Sequence, residues 1–316
     1  MIRALLGAIA LGCDHSPPPP PPAPPAPAPA HAAAPPPSPL VVDAPAPSTL
    51  REGTPSFSVG FLPLRPPKAD LKKVIAELAA EHYPALRVQS PGQPVGAPPV
   101  VIVGSYRWGG ISAAELDASG KGLSAAARAA ISRPMEATAL EFHVPGKDAL
   151  GALRLAQQLS GALVQRVDGV LVDGETHELF SLEAWKALRM SWVGPLPAVI
   201  TQIALRKNGG DATTHRLVTF GMAKFGLPDI TVTDPPGAAG PPAATRIHLL
   251  CQLMVEGHLP AVDGTMTLNA LLVRERATKK ALLDAQLGGP QFVRLRKTNA
   301  QAGDPDNRLV EMLPAP

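Results

Sequence analysis

The sequence has little of what marks several classes of protein. Of its 316 residues only 4% are aromatic and 17% are charged, and it holds two cysteines. So few cysteines exclude a disulfide-rich scaffold and a Cys-rich metal fold. No apolar run reaches the ~18–20 residues that a membrane-spanning helix needs. The sequence therefore predicts no transmembrane helix.

Concentrated positive charge is also missing. Beyond residue 50 the chain carries 28 basic and 24 acidic residues, and no basic run reaches five residues. Proteins that bind nucleic acids concentrate basic side chains and interleave aromatic ones for stacking. The composition therefore disfavours a nucleic-acid partner.

Several catalytic motifs are incomplete, because the residues that they require do not occur at the required spacing. Gly120-Lys121 is preceded by Glu115 where a phosphate-binding loop has glycine, and Ser181 stands where a zinc protease motif starting at His177 needs a second histidine. The patterns Gly-x-Ser-x-Gly, Ser-x-x-Lys and Gly-x-Gly-x-x-Gly do not occur. The sequence accordingly predicts no cofactor.

Proline, in contrast, is abundant and unevenly placed. Of the 39 prolines, 16 lie within residues 17–49 and the other 23 are spread over the remainder. A Pro-Ala tract favours the extended polyproline II helix, which rises ~3.1 Å per residue, and it has no side chains with which to build a core. We interpret residues 13–49 as one segment, which begins with Cys13 and continues as a disordered proline-rich linker.

The first residues predict a cellular location for the chain. Met1-Ile2-Arg3 is followed by nine apolar or small residues and then by Cys13. A short basic start, an apolar core and small residues before a cleavage point are the parts of a secretory signal. Ala10-Leu11-Gly12-Cys13 resembles the lipobox of bacterial lipoproteins. The resemblance implies removal of residues 1–12, a lipid on Cys13, attachment to a membrane and a location in the cell envelope facing the periplasm. Inner and outer membrane both remain open.

The remainder of the chain predicts an α+β fold in two units, residues 50–190 and 191–316. In the first, strand-like and helix-like segments follow one another as β-α-β-β-(α)-β-α-β, an order that resembles a ferredoxin-like unit with an insertion. Its clearest element is a helix that Asp70 caps, because apolar residues recur after it at helical spacing. The second unit is expected to be another βαβ-type unit.

Expectations for the second unit are more specific at three places. Residues 198–206 and 265–273 are predicted to form strands, and Thr245 is predicted to cap a helix that ends at Gly257. The turn-rich residues 208–211 are expected to join two strands.

Acidic residues and one histidine crowd the segment that follows a buried strand at 169–172. The candidates for acid–base chemistry are Asp173, Glu175, His177 and Glu178. Loops at strand ends often carry function, and carboxylates beside a histidine transfer protons or bind a cation. A polar turn ahead of a helix has the same composition. The sequence favours that simpler interpretation, and it leaves both open.

Two other groups are candidate ligands for a metal ion. His248 and Cys251 are three residues apart on a predicted helix, a spacing that suits zinc, but Cys251 also belongs to the apolar face of that helix. Asp304, Asp306 and Asn307 offer oxygen ligands without the spacing of a calcium loop. The sequence therefore predicts no metal site in this chain.

Three segments of the body, residues 169–185, 218–229 and 303–311, are similar to stretches in proteins of high-GC bacteria that carry domains of unknown function. The likeness implies neither an activity nor a site.

Together these features favour a lipid-anchored envelope protein that binds a ligand or another envelope protein and does not catalyse a reaction. One alternative is an envelope hydrolase that uses the acidic residues and His177 within 168–178. Another is a cytosolic or immunity-type interaction protein whose apolar start is accidental.

The lipid anchor is tested by mass spectrometry of the N-terminus of the chain produced in a bacterium. We expect residues 1–12 to be absent and Cys13 to carry two or three acyl chains, because the lipobox directs both modifications. Cys13→Ala should leave the chain unacylated, whereas the control Cys251→Ala should leave the lipid in place. An intact Met1 would contradict the prediction and favour the cytosolic alternative.

Overall fold

The computed structural model describes residues 56–93, 99–143, 149–192, 194–208, 215–234, 243–261, 263–284 and 289–314. They belong to one compact unit. Cys13, the proline-rich residues 17–49 and residues 209–211 of the predicted turn lie outside this part of the chain.

The first half of the described chain holds seven strands and five helices. In chain order they are β1 (Ser56–Pro63), α1 (Leu71–His82), β2 (Arg87–Gln89), β3 (Val100–Trp108), α2 (Ala113–Ser119), β4 (Gly120–Lys121), α3 (Ala125–Ile131), β5 (Met135–His143), α4 (Ala149–Arg166), β6 (Gly169–Asp173), β7 (Glu178–Phe180) and α5 (Leu182–Leu188).

The seven strands form one sheet in the order β2-β3-β5-β1-β6-β7-β4. Its centre, β3-β5-β1-β6, is antiparallel throughout, and α1 and α4 connect its strands in the order of a ferredoxin-like unit. The predicted insertion consists of α2, β4 and α3 between β3 and β5. The α+β class and the ferredoxin-like first half are therefore confirmed.

Alternation along β1 explains the two cores of this half. Phe57, Val59 and Phe61 point to the face that α1 and α4 cover, whereas Leu62 joins a smaller cluster under α2 and α3. Local signals place the helices: the Asp70 side chain accepts a hydrogen bond from the backbone N–H of Lys72 at the start of α1, as predicted. Ser181 caps α5 in the same way.

The second half holds a six-stranded sheet and two further helices. Its elements are β8 (Ala204–Lys207), β9 (His215–Phe220), β10 (Asp229–Asp234), α6 (Ala243–Val255), β11 (Thr265–Leu268), α7 (Arg276–Asp284), β12 (Gln291–Lys297) and β13 (Leu309–Pro314), with 3₁₀ turns at Val199–Thr201, Met222–Phe225 and Ala270–Leu272.

This second sheet has the order β11-β12-β13-β10-β9-β8, in which only β10 and β13 pair in parallel. Helix α6 covers one face, and its residues Ile247, Leu250 and Met254 are fully buried in the main core of this half. The other face carries Val218, Phe220 and Leu309. Residues 190 and 191, where the sequence divides the two units, lie along the chain after β7, the last strand of the first sheet, and before β8, the first strand of the second sheet.

Three predictions for the second half are wrong. Residues 198–206 form a strand only from Ala204, because the Gln252 side chain binds the backbone of Pro197 and Val199 and holds the preceding residues in a 3₁₀ turn. Helix α6 already begins at Ala243, so Thr245 is not its cap. The strand at Thr265 ends at Leu268, because the Asn269 side chain caps the next 3₁₀ turn.

Among the described residues, none of the helices combines the length and the apolar character needed to cross a bilayer.

Close packing at Gly169 gives a test of the first core. An added Cβ there would lie 2.3 Å from Phe61 Cε2, whereas one at the exposed Gly289 would meet nothing within 4 Å. Since Phe61 is fully buried, Gly169→Ala should lower the free energy of unfolding by about 1–3 kcal/mol. Gly289→Ala should change it by less than about 0.5 kcal/mol. Urea denaturation of both variants measures the difference, and equal effects would contradict this packing.

Candidate functional site

A tight turn at residues 174–177, which we call the acidic turn, connects β6 to β7. Its backbone is fixed at both ends: the N–H of His177 donates to the carbonyl of Asp173 at 2.8 Å, and that of Gly174 to the carbonyl of Ser58 at 3.0 Å. Asp173 Oδ1 accepts from the N–H groups of Glu175 and Thr176, both at 3.2 Å. His177 has a φ of 55°, which is uncommon for a residue other than glycine. The turn is thus held in one conformation.

Beneath the acidic turn lies a network of buried charges. Asp173 is 3% exposed, and its Oδ2 accepts from Arg189 Nε at 2.8 Å and from Lys224 Nζ at 2.5 Å. Arg189 also donates to Glu178 Oε2 at 2.7 Å and to Thr176 Oγ1 at 3.2 Å. Lys224 donates to the carbonyl of Gln202 at 2.7 Å. The carboxylate and both cations are therefore paired, as buried charges must be.

The pKa of Asp173 reflects these partners. Burial alone would raise this pKa, but the charges of Lys224 and Arg189 and their hydrogen bonds hold it at about 2. Burial also lowers the pKa of Lys224, and Asp173 opposes that shift. Asp173 therefore stays ionised at neutral pH and acts as the counter-ion of two cations.

Glu175 and His177 have a different environment because both reach a cleft. Burial raises the pKa of Glu175. Burial and then the Arg206 charge lower the pKa of His177, whose ring lies 6.1 Å from that of Phe220. Arg206 donates to the carbonyl of Thr176 at 2.5 Å. At neutral pH the cleft therefore meets a neutral imidazole beside a carboxyl group that takes up a proton more readily than usual.

The facing wall of the cleft is the segment 303–308, which we call the facing loop. Asp304 binds Arg216 through both carboxylate oxygens at 2.6 and 2.8 Å, and it accepts from Asn208 at 2.6 Å. These bonds lower the pKa of Asp304, although its partial burial opposes them. Asn307 donates to the carbonyl of Leu227 at 2.9 Å. The facing loop is therefore fixed to the second sheet at several points.

Asp229 fixes the floor of the cleft. It is fully buried, its Oδ1 accepts from Thr219 Oγ1 at 2.8 Å and from the N–H of Met222 at 3.2 Å, and its Oδ2 accepts from Asn307 at 2.8 Å. Burial nevertheless raises the pKa of Asp229 to about 6, because these donors compensate only part of the lost hydration. Asp229 joins β10 to the facing loop.

The cleft between the acidic turn and the facing loop has a volume of about 410 Å³. Glu175 and His177 line one wall, residues 304–308 line the other, and Gly221, Ala223 and Asp229 line the floor. Because glycine and alanine make up much of the floor, the polar groups of both walls stand open to the space between them. This volume lies within the range of pockets that hold small molecules.

The structure separates the four sequence candidates into two pairs. Glu175 and His177 line the cleft, as functional residues of a loop would. Asp173 and Glu178 do not, because both are committed to buried ion pairs, and Glu178 also binds Lys121 at 3.2 Å. Of the four candidates, the structure thus brings only Glu175 and His177 to the cleft.

The candidate metal ligands lie in different parts of the structure. Cys251 is fully buried in the core under α6, and burial raises the pKa of its thiol well above the usual value. Asp304, Asp306 and Asn307 lie on the facing loop, opposite Glu175 and His177. Within the described ranges, no three His, Cys, Asp or Glu side chains are grouped as metal ligands. His248 and Cys251 thus have no third ligand in that part of the chain.

Sequence reasoning did not find Arg189, Lys224 or Asp229. Arg189 follows α5 and Lys224 belongs to a 3₁₀ turn, and neither position carries a recognisable motif. The only available signal is a polar residue inside an otherwise apolar segment.

Comparison of the chain with protein-family models, with curated proteins and with solved structures finds no significant match.

The buried pair of Lys224 and Asp173 is testable by denaturation. Lys224→Met removes one cation from a carboxylate that cannot reach water, so the free energy of unfolding should fall by about 3 kcal/mol at pH 7. The matched control is Lys186→Met, which breaks the exposed pair of Lys186 and Glu183 and should cost less than about 1 kcal/mol. Equal losses in the two variants would contradict the role of Lys224.

The raised pKa of Asp229 predicts a pH dependence. Because its folded-state pKa of about 6 exceeds the ordinary 3.8, Asp229 contributes stability that is fully present below pH 3.8 and lost as the pH rises through 6. From pH 4 to pH 8, wild type should therefore lose about 2 kcal/mol more than Asp229→Asn, which cannot ionise. Urea denaturation across this range measures the difference. The exposed control Asp284→Asn should follow wild type, and parallel curves for wild type and Asp229→Asn would refute the assignment.

Proposed function

We propose that this protein is a lipid-anchored binding protein of the bacterial cell envelope, whose folded body holds a small polar ligand in the cleft between the acidic turn and the facing loop. The observation that carries the proposal is the construction of this cleft. Both of its walls are tied to buried charged or polar groups, and side chains that can bind a ligand, Glu175 and His177, project from a fixed turn.

Rigidity of the walls supports binding because a preorganised site loses little conformational entropy when a ligand arrives. Asp173 fixes the acidic turn from below, and Arg216 fixes the facing loop through Asp304. The ligand therefore meets polar groups that are already in place.

The placement of the protein rests on its sequence. The lipobox-like Ala10-Leu11-Gly12-Cys13 supports attachment to a membrane through Cys13, and the proline-rich linker supports a body that stands away from the lipid surface toward the periplasm. A partner is then a soluble component of the envelope or an exposed part of another envelope protein. We propose no nucleic-acid partner.

The cleft is tested with the full-length chain and soluble cell-wall fragments released by lysozyme as probe. We expect native mass spectrometry to detect fragments bound to wild type. Ala223→Trp, which fills the floor of the cleft, should reduce binding at least tenfold. Ala129→Trp, an equal change at an exposed position of α3, should leave binding unchanged. Binding that survives Ala223→Trp, or no binding to wild type, would contradict the proposal.

One observation favours the hydrolase alternative. Glu175 carries a raised pKa in a cleft that it shares with His177 and Asp306, and such a carboxyl group can act as a general acid. The same incubations therefore include Glu175→Gln and His177→Asn, since asparagine accepts the left-handed backbone of residue 177. New fragments that appear with wild type and disappear with either variant would favour catalysis over binding.

A further inference from the structure

Exposed apolar side chains are concentrated at one place in the second half of the chain. Among the described residues six large apolar side chains are exposed, and three of them, Leu271, Leu272 and Leu283, lie on the 3₁₀ turn Ala270–Leu272 and on the helix that follows it, α7. Their exposed fractions are 55%, 44% and 38%. A single exposed leucine needs no explanation, but several neighbouring ones mark a surface that meets a partner or a membrane.

Helix α7 places cations beside these leucines. Thr278 and Leu282, four residues apart, point into the protein. A different face of the helix carries three cations and one leucine at the spacing i, i+3, i+4 and i+7: Arg276, Lys279, Lys280 and Leu283. The side chain of Lys279 also reaches the 3₁₀ turn, where its Nζ donates to the carbonyl of Leu271 at 2.7 Å. The turn and this face of α7 therefore form one surface, which we call the basic ridge: Leu271, Leu272, Arg276, Lys279, Lys280 and Leu283.

Positive charge predominates on the basic ridge. Glu275, at the start of α7, is 7% exposed, and its carboxylate accepts from two backbone N–H groups of the first turn of the helix. Lys280 pairs with Asp284 at 2.6 Å, but both side chains are mostly exposed, so that water and salt screen the pair. Within the described part of the chain, neither Arg276 nor Lys279 forms an ion pair. The ridge thus offers cations to a partner of negative charge.

We infer that the basic ridge docks the folded body onto an anionic phospholipid bilayer, with its leucines in the headgroup region and its cations against the lipid phosphates. Leucine side chains gain free energy when they leave water for this region, and each cation gains from the negative potential of the lipid surface. Charge favours lipid over a second copy of the chain, because two ridges in contact would bring cations against cations. The inference rests on the proposed membrane location and not on the ligand of the cleft.

Attachment through Cys13 makes even a weak docking surface effective. A tethered body meets the bilayer at a high effective concentration, so that docking becomes an intramolecular step. The proline-rich linker sets how far the body can stand from the lipid, and it does not prevent the return of the body to the surface. A lipid anchor and a basic patch together also hold a protein on a membrane more firmly than either does alone.

The test uses co-sedimentation of the full-length chain with vesicles, in a Cys13→Ala background so that no acyl chain contributes. One set of vesicles contains phosphatidylcholine and phosphatidylglycerol in equal parts, and the other contains phosphatidylcholine alone. We expect partitioning onto the anionic vesicles to be at least about tenfold stronger, because three cations face the lipid. Salt at about 1 M should remove most of this difference, because it screens the charges without any substitution.

Two variants separate the cations of the ridge from its leucines. The triple variant Arg276→Gln, Lys279→Gln, Lys280→Gln should lower partitioning onto the anionic vesicles at least about tenfold. Its control, Arg65→Gln, Lys68→Gln, Lys73→Gln, removes the same charge at exposed positions around the start of α1 and should bind as the parent chain does. Leu271→Ser should lower partitioning about fivefold. Ile200→Ser, a change of equal kind in another 3₁₀ turn at 51% exposure, should not.

Three outcomes would overturn the inference. They are equal partitioning onto both kinds of vesicle, partitioning that the ridge variants leave unchanged, and a dimer in size-exclusion chromatography that Leu271→Ser converts to a monomer, since a second copy would then cover the ridge. Failure here is distinguishable from failure of the proposed function. If the ridge does not bind lipid but mass spectrometry finds an acylated Cys13, the docking surface is wrong and the anchor is right. If Cys13 is not acylated either, both are wrong.

Discussion

The structure depends on one buried ion pair, that of Lys224 with Asp173, and on the second cation, Arg189, that joins it. The three residues come from β6, from the end of α5 and from a 3₁₀ turn after β9, so the pair connects segments of both halves. Removing such charges from water is expensive, and only close pairing with further hydrogen bonds offsets the cost. Arg189 therefore also binds Glu178 and Thr176, and Lys224 binds the carbonyl of Gln202. A change at any of these groups would remove part of the pairing that offsets this cost.

The functional consequence is that the acidic turn is fixed from below. Asp173 uses one oxygen for the cations and the other for the backbone of Glu175 and Thr176. The electrostatics of the pair and the conformation of the turn are thus linked through one carboxylate. The facing loop is fixed in a similar way by Asp229 and Arg216, so the cleft is formed by two loops that each depend on a buried or nearly buried charge.

Much of the fold follows from local signals. The cap at Asp70 and the apolar spacing in α1 are properties of neighbouring residues, and the order of strand-like and helix-like segments predicted the ferredoxin-like half. The short strand β7 was missed because its three residues carry too little pattern, although it pairs with its neighbour β6 as well as with the distant β4. The 3₁₀ turn at Val199 was missed because the distant Gln252 holds it. The sequence named Glu175 and His177 as candidates because they crowd one loop, and the structure places both at the cleft. The sequence could not separate them from Asp173, because Lys224, 51 residues further on, decides that role. The lipid anchor at Cys13 and the location in the cell envelope stay predictions from the sequence motif.

The most direct test of the central role of this ion pair is a double-mutant cycle between Asp173 and Lys224. Asp173→Asn, Lys224→Met and the double variant are compared with wild type by urea denaturation at pH 7. If the pair organises the structure, the two single variants should together lose more free energy of unfolding than the double variant does. The difference between the sum of the single losses and the double loss should be at least about 1.5 kcal/mol, within the range measured for contacting residues. A coupling below about 0.5 kcal/mol would mean that the two residues stabilise the protein independently, and it would contradict the account.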